Sequence, residues 1–261
     1  MTKLVKNKPG DFCWMELITP NLSTSKQFYA KLFGWQTHSH LMPNGGEYTM
    51  LNINGDDIVS AFELTDQMRE EGASPDWSSY IYTDDVDATA KEAIKLGGYI
   101  LHGPFDIMHY GRMAVIQDPS GAIFNLWKPY SIAEKQPTKK THGMFSWNEL
   151  LTDDFDRSVL FYSALLGWDI LEQEFPGDFK YSIMMNGDEP VAGIMDKTPA
   201  CKSLPTNWSV YFTTKNLDKT VHDATELGGK TCCEPVDIEN FGRITMLKDP
   251  EKVNFSIVEY A

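Results

Sequence analysis

The sequence predicts an α+β fold of two tandem domains, each a pair of strand–helix–three-strand units. Two repeats and one alternation of pattern predict it. Phe12 to Trp35 and Phe145 to Trp168 align at an offset of 133, with 11 of 24 positions identical, where ordinary residue usage gives about one identity in sixteen. Farther along, Pro104-Phe-Asp-Ile, Gly111-Arg112 and Asp118-Pro119 return as Pro235-Val-Asp-Ile, Gly242-Arg243 and Asp249-Pro250, at an offset of 131. Within each copy the apolar period passes from that of a strand to that of a helix and back, twice. A duplication on this scale must be recognised before any residue is given a role.

The elements follow in order. Phe12–Ile18 alternates, with Phe12, Trp14 and Glu16 on one face and Cys13, Met15 and Leu17 on the other, as a strand does. Leu22, Phe28, Tyr29, Leu32 and Phe33 have helical spacing, with Gly34 as the stop. Three short strands are predicted near 35–40, 48–53 and 58–63, the last two joined through Asn54-Gly55-Asp56. The pattern then restarts. Trp77–Thr83 reads as a strand, Val86–Leu96 as a helix and Gly97-Gly98 as its end. Strands are predicted near 99–102, 111–117 and 122–128, with Asp118-Pro-Ser-Gly as a turn. The second half repeats the plan at 145–195 and 208–259. The segment Ala133–His142 is polar, holds a proline and lacks periodicity. It therefore separates a first domain, 1–133, from a second, 140–261.

Composition narrows the function classes. The 261 residues are 42% hydrophobic and 12% aromatic, which suits globular domains with their own cores. A formal charge of −14 disfavours nucleic acid and anionic membranes, both of which need a basic face. No apolar run reaches transmembrane length, and the start, Met1 to Pro9, lacks a hydrophobic signal region. Cys13, Cys201, Cys232 and Cys233 show no C-x-x-C spacing, so reduced thiols in a cytoplasmic protein are expected. Gly228-Gly-Lys-Thr lacks the earlier glycine of a phosphate loop and follows a helix instead of opening one; its counterpart is Gly97-Gly98-Tyr99, and a helix end is the better account.

The motifs Phe28-Tyr29…Leu32-Phe33-Gly34-Trp35 and Asp118-Pro-Ser-Gly-Ala-Ile-Phe, with their copies at Phe161-Tyr162…Gly167-Trp168 and Asp249-Pro250, resemble the glyoxalase/bleomycin-resistance/dioxygenase family. This is the vicinal oxygen chelate superfamily, and in it the chain looks like a two-domain group that includes a mycobacterial antigen. The resemblance implies that paired units curl mixed sheets around a concave ligand site. It also implies that one chain makes internally what many relatives make by dimerising. A monomer with an internal pseudo-dimer, or a homodimer, is expected.

Metal-dependent members of the family use three or four His, Glu or Gln ligands. The corresponding positions here are Trp14, Ser78 and Asn125 in the first domain and Trp147, Ser209 and Ser256 in the second. These are poor donors for a divalent ion, which favours carboxylate or imidazole. The expectation is a protein without metal or other cofactor. Its concave aromatic cups, bordered by Trp14, Glu16, Ser78, Tyr80, Asn125, Trp127, Trp147, Glu149, Ser209 and Ser256, would take a small flat or amphipathic organic ligand. Shifting the correspondence by two residues on the same strand face brings in Glu16 and Glu149, which keeps open an enzyme related to lactoylglutathione lyase, with or without metal. A pseudo-enzyme that binds a partner is the third reading. Arg112 and Arg243 each follow an aspartate by six residues, Asp106 and Asp237, and are read as fixing the loop before a strand in preference to capturing an anion. His38, His40 and His109 have no histidine counterparts and are read as surface residues.

Overall fold

The computed structural model describes residues 7–42, 45–131, 141–171, 179–198, 201–202 and 204–261. The separating segment predicted at Ala133–His142 lies almost wholly outside the described residues, as does the start of the chain.

The first repeat runs β1 (Phe12–Thr19), α1 (Leu22–Phe33), β2 (Gln36–Leu41), β3 (Glu47–Ile53), β4 (Asp56–Glu63), α2 (Asp66–Glu70), β5 (Asp76–Tyr82), α3 (Val86–Lys95), β6 (Tyr99–Ile107), β7 (Gly111–Gln117) and β8 (Ile123–Pro129). The second runs β9 (Phe145–Thr152), α4 (Phe155–Leu166), β10 (Asp169–Leu171), β11 (Tyr181–Asn186), β12 (Glu189–Asp196), β13 (Asn207–Thr213), α5 (Leu217–Glu226), β14 (Lys230–Thr231), β15 (Val236–Ile238), β16 (Gly242–Lys248) and β17 (Asn254–Tyr260). The predicted α+β plan of four strand–helix–strand modules is thus present. The strands form two mixed sheets, one per repeat, in the orders β2-β3-β4-β1-β5-β8-β7-β6 and β10-β11-β12-β9-β13-β17-β16-β14. Among the described residues no helix is long and apolar enough to cross a membrane.

Three elements differ from the sequence reading. The short helix α2 is an addition to it; five residues offer too little periodicity to predict, although Thr65 caps the helix by accepting from Met68 N–H. β6 is longer than predicted and carries two register shifts. Its counterpart in the second repeat is broken into β14 and β15, with Cys232 and Cys233 exposed between them.

The four main helices start alike. Asn21, Asp85, Asp154 and Asn216 cap them through bonds from Thr24, Ala88, Arg157 and Lys219 N–H. α1 and α4 end on Gly34 and Gly167 with φ of 73° and 70°, left-handed positions that glycine fills without steric cost.

The described contacts divide into two compact units, and neither is a sequence repeat. One unit holds 1–14, 79–135 and 147–209; the other holds 15–78, 136–146 and 210–261. Each unit therefore draws one module from each repeat. In one, Tyr162 of α4 donates its hydroxyl to Asp118 Oδ2 at 3.0 Å and accepts Trp208 Nε1–H at 2.8 Å. In the other, Tyr29 of α1 donates to Asp249 Oδ2 at 3.2 Å and accepts Trp77 Nε1–H at 3.0 Å. Asp118 and Asp249 are buried, and each also ties its own turn through backbone N–H groups of Ala122 or Val253. A buried carboxylate needs such partners. The repeated Phe-Tyr and Asp-Pro motifs are thus the two halves of one hydrogen-bonded core.

Arg112 joins Asp106 and Asp87, and Arg243 joins Asp237 and Asp218. The predicted Asp–Arg pairs are present, and each arginine also clamps the first turn of α3 or α5.

Candidate functional site

Each sheet has a face covered by helix and a face turned away from it. In the first module, α1 lies over the face that carries Ser39, which accepts Lys26 Nζ–H at 3.5 Å, and the buried Thr49, Leu51, Val59 and Ala61. Alternation places Glu16, His38, His40, Tyr48, Met50 and Ser60 on the opposite, open face. Register confirms it, because Glu16, Ser60, Met50 and His38 stand in one cross-strand row.

At the centre of that face is a carboxylate held by hydroxyls. Glu16 is 6% exposed, and its Oε1 accepts Tyr48 O–H at 2.5 Å and Ser60 O–H at 2.9 Å. Tyr48 and Ser60 oxygens are themselves 2.9 Å apart. Bonds to a charged acceptor are short and strong, and they stabilise a carboxylate that has lost most of its water.

The matching face of the other unit repeats the arrangement. Glu149 Oε2 accepts Tyr181 O–H at 3.1 Å, and Trp147 donates its indole N–H to the Tyr181 hydroxyl. Burial, then the charge of Glu149, pushes the Tyr181 phenol far above its ordinary range, so it remains a donor. Gly193 sits opposite Glu149, where Ser60 sits opposite Glu16. A Cβ at Gly193 would collide with Tyr181 Oη. Glycine is therefore required for Tyr181 to reach Glu149.

The remaining predicted residues lie on the other modules. Tyr80 and Asn125 stand opposite each other on β5 and β8, as do Tyr82 and Trp127. Tyr80 and Trp127 rings meet edge to face at 6.3 Å. Ser256 faces Tyr211 across β13 and β17, and its Oγ is buried without a hydrogen-bond partner among the described residues. Ser209 is buried and Ser78 half-buried. Trp14 and Trp147 are only partly buried, so neither is plain core. Sequence reasoning missed Tyr48 and Tyr181. Their recurrence at the 133 offset, on predicted strands, is the signal that could have found them.

The arrangement does not fit a divalent cation. Hydroxyls bond Glu16, the Tyr181 hydroxyl bonds Glu149, and the positions read from the sequence as the family's ligand positions hold Trp, Ser and Asn. Among the described residues no group of three His, Cys, Asp or Glu side chains could hold a metal ion.

The Glyoxalase/Bleomycin resistance protein/Dioxygenase superfamily model matches residues 12–126 and again 144–257. The chain belongs to this superfamily. It is 36% identical over 262 residues to the protein named "Putative glyoxylase CFP32" of Mycobacterium bovis, covering 100% of this chain and 99% of that one. It is 34% identical to "Anthracycline biosynthesis protein DnrV" of Streptomyces peucetius, covering 96% of this chain and 94% of that protein. In fold it is similar to the Mn(II)-bound glyoxalase of Novosphingobium aromaticivorans, with a TM-score of 0.66 at 13% identity over 97% of this chain and 82% of that one.

Proposed function

We propose that this superfamily member binds small flat or amphipathic organic molecules on the open faces of its sheets, without a metal. The observation that carries the reading is the twofold occurrence of a tyrosine hydroxyl locked onto a glutamate, Tyr48 on Glu16 and Tyr181 on Glu149. Around these groups the faces carry aromatic and thioether side chains such as Trp14, Met50 and Trp147. Apolar walls with a few fixed polar groups suit a planar organic ligand. The likeness to a protein named for anthracycline biosynthesis supports a polycyclic aromatic skeleton. Trp14, Ser78, Tyr80, Asn125, Trp127, Ser209 and Ser256 are assigned to ligand contact on the same reading. We assign the protein to the cytoplasm, as a monomer or homodimer, in keeping with its four free cysteines.

Titration of purified protein with 1,8-dihydroxyanthraquinone tests this reading through tryptophan fluorescence, together with elemental analysis. Saturable quenching at micromolar probe, with no stoichiometric metal, is expected. About one equivalent of zinc, nickel, manganese or iron per chain, lost on Glu16→Ala or Glu149→Ala, would sink it.

One geometric fact favours a second reading. A carboxylate on a ligand-facing strand can serve as a general base, and in this reading Glu16 or Glu149 removes a proton from a bound carbon or oxygen acid. Solvent-deuterium exchange into a bound ketone, abolished by Glu16→Gln, would distinguish catalysis from binding.

A further inference from the structure

The two open faces share their carboxylate–phenol pair but differ around it. The backbone frames are equivalent: Met50 pairs with Ser60 and His38 with Met50 in one, Ile183 with Gly193 and Leu171 with Ile183 in the other. Both frames carry the same bulge, between Leu51 and Asn52 and between Met184 and Met185. In the first repeat that bulge turns Asp57 onto the open face, where its Oδ1 stands 3.6 Å from His38 Nδ1. Asp57 Oδ1 is buried and makes no hydrogen bond among the described residues. The His38 ring meets that of His40 edge to face at 5.4 Å.

In the second repeat the positions of His38, Asn52, Asp57 and Ser60 lose their polar side chains, while His40 corresponds to Gln173, which lies outside the described residues. His38 corresponds to Leu171, Met50 to Ile183, Asn52 to Met185, Asp57 to Pro190 and Ser60 to Gly193. Both members of the His38–Asp57 pair are replaced together, so neither strand is left with an uncompensated polar group. The first face adds exposed imidazoles to the shared carboxylate–phenol pair; the second sets that pair beside Leu171, Ile183 and Met185.

Resting on the ligand-binding reading above, we propose that the two sites take different ligands. The first, through His38 and His40 beside the Glu16–Tyr48–Ser60 cluster, selects a ligand bearing phenolic or enolic hydroxyls. The second, lined by Leu171, Ile183, Met185 and Gly193, selects an unsubstituted apolar ring system. Imidazole both donates and accepts hydrogen bonds, and His38 has the Asp57 carboxylate 3.6 Å away. A hydroxylated ligand finds partners there that its apolar analogue would leave unpaired, which is the strong direction of discrimination.

The test compares 1,8-dihydroxyanthraquinone with 9-methylanthracene by calorimetry, on the full chain and on the variant that carries His38→Leu with Ser60→Gly. In the native chain each probe should fill one site. In the variant the hydroxylated probe should weaken by about tenfold or more, the worth of one or two hydrogen bonds, with 9-methylanthracene unchanged. His38→Leu alone provides the measurement if the double variant melts early, since His38 is exposed. Unchanged affinity for the hydroxylated probe in a folded variant would overturn the inference. Equal filling of two sites by either probe would overturn it as well, yet leave the binding reading standing. Failure of both probes to bind the native chain would remove that reading and this inference together.

Discussion

Tyr29 donates its hydroxyl to the carboxylate of Asp249, 220 positions later in the chain. The bond is buried, and Trp77 holds the same phenolic oxygen from the other side. Removing the hydroxyl leaves both the indole N–H and the carboxylate short of a partner. Tyr29→Phe should cost about 1–3 kcal/mol, read from denaturant melts, and Tyr162→Phe should cost a similar amount. A melt for either variant that overlays the native one would show that the bond carries no net stability.

Burial raises the Asp249 carboxyl to about 6, against the lowering effect of bonds from Val253 N–H and Tyr29. In the unfolded chain it titrates near the ordinary aspartate value of about 3.9. The folded form thus holds the proton more tightly. The stability contributed by this group is fully present below pH ~4 and is lost as pH rises through about 6. The fall can reach about 3 kcal/mol, since each tenfold difference in proton affinity between folded and unfolded chain is worth about 1.4 kcal/mol. Asp249→Asn should flatten this part of the stability–pH curve. A native curve that rises from pH 4 to 7, with the variant's parallel to it, would contradict the assignment.

Gly193 permits an approach that no other residue can. A side chain there meets Tyr181 Oη, and Glu149 Oε2 lies 3.3 Å from the added carbon. Gly193→Ser should destabilise the protein by about 1–3 kcal/mol, as overpacking does. It should also dislodge Tyr181 from Glu149. The reverse change, Ser60→Gly, removes only one hydroxyl donor and should cost about 1 kcal/mol. Thermal melts of the pair check the asymmetry; equal effects would contradict it.

Trp147 plays two parts, bordering the open face and donating to Tyr181. Trp147→Phe keeps a ring and loses the donor. Trp147→Ala loses both. Probe affinity should fall modestly for phenylalanine and by up to about 2 kcal/mol for alanine if the indole stacks on ligand. Lost stability with unchanged affinity in both variants would make Trp147 part of the wall alone.

The strands and main helices are legible in the sequence because their period and punctuation are local. Leu22, Phe28, Tyr29 and Leu32 announce a helix, and Gly34 ends it, wherever that helix later packs. The partner of Tyr29 is not legible. Its motif and that of Asp249 recur at different offsets, and neither offset says which copy of one meets which copy of the other. The candidate site is half visible for the same reason. Glu16 and Glu149 stand out as recurring carboxylates on strands. Their tyrosine partners lie 32 residues away, joined only by strand register. His38 reads as decoration because it lacks a counterpart; that lack, set beside Asp57, is what distinguishes the two faces. The broken edge at β14 and β15 has no signal in its own composition.

The division of the chain into units has a consequence for the order in which the molecule is made. One unit is closed by residue 209, whereas the other keeps its first module waiting for 210–261. During synthesis from the N-terminus the inner pair of modules can be completed while the ribosome still holds the last one. The outer pair, whose contacts span nearly the whole chain, forms afterwards, at the entropic cost that distant pairing imposes. Chains arrested after residue 209 should therefore protect Tyr162 and Asp118 from proteolysis and leave Tyr29 open, so the segment 15–78, translated early, is among the last to be buried.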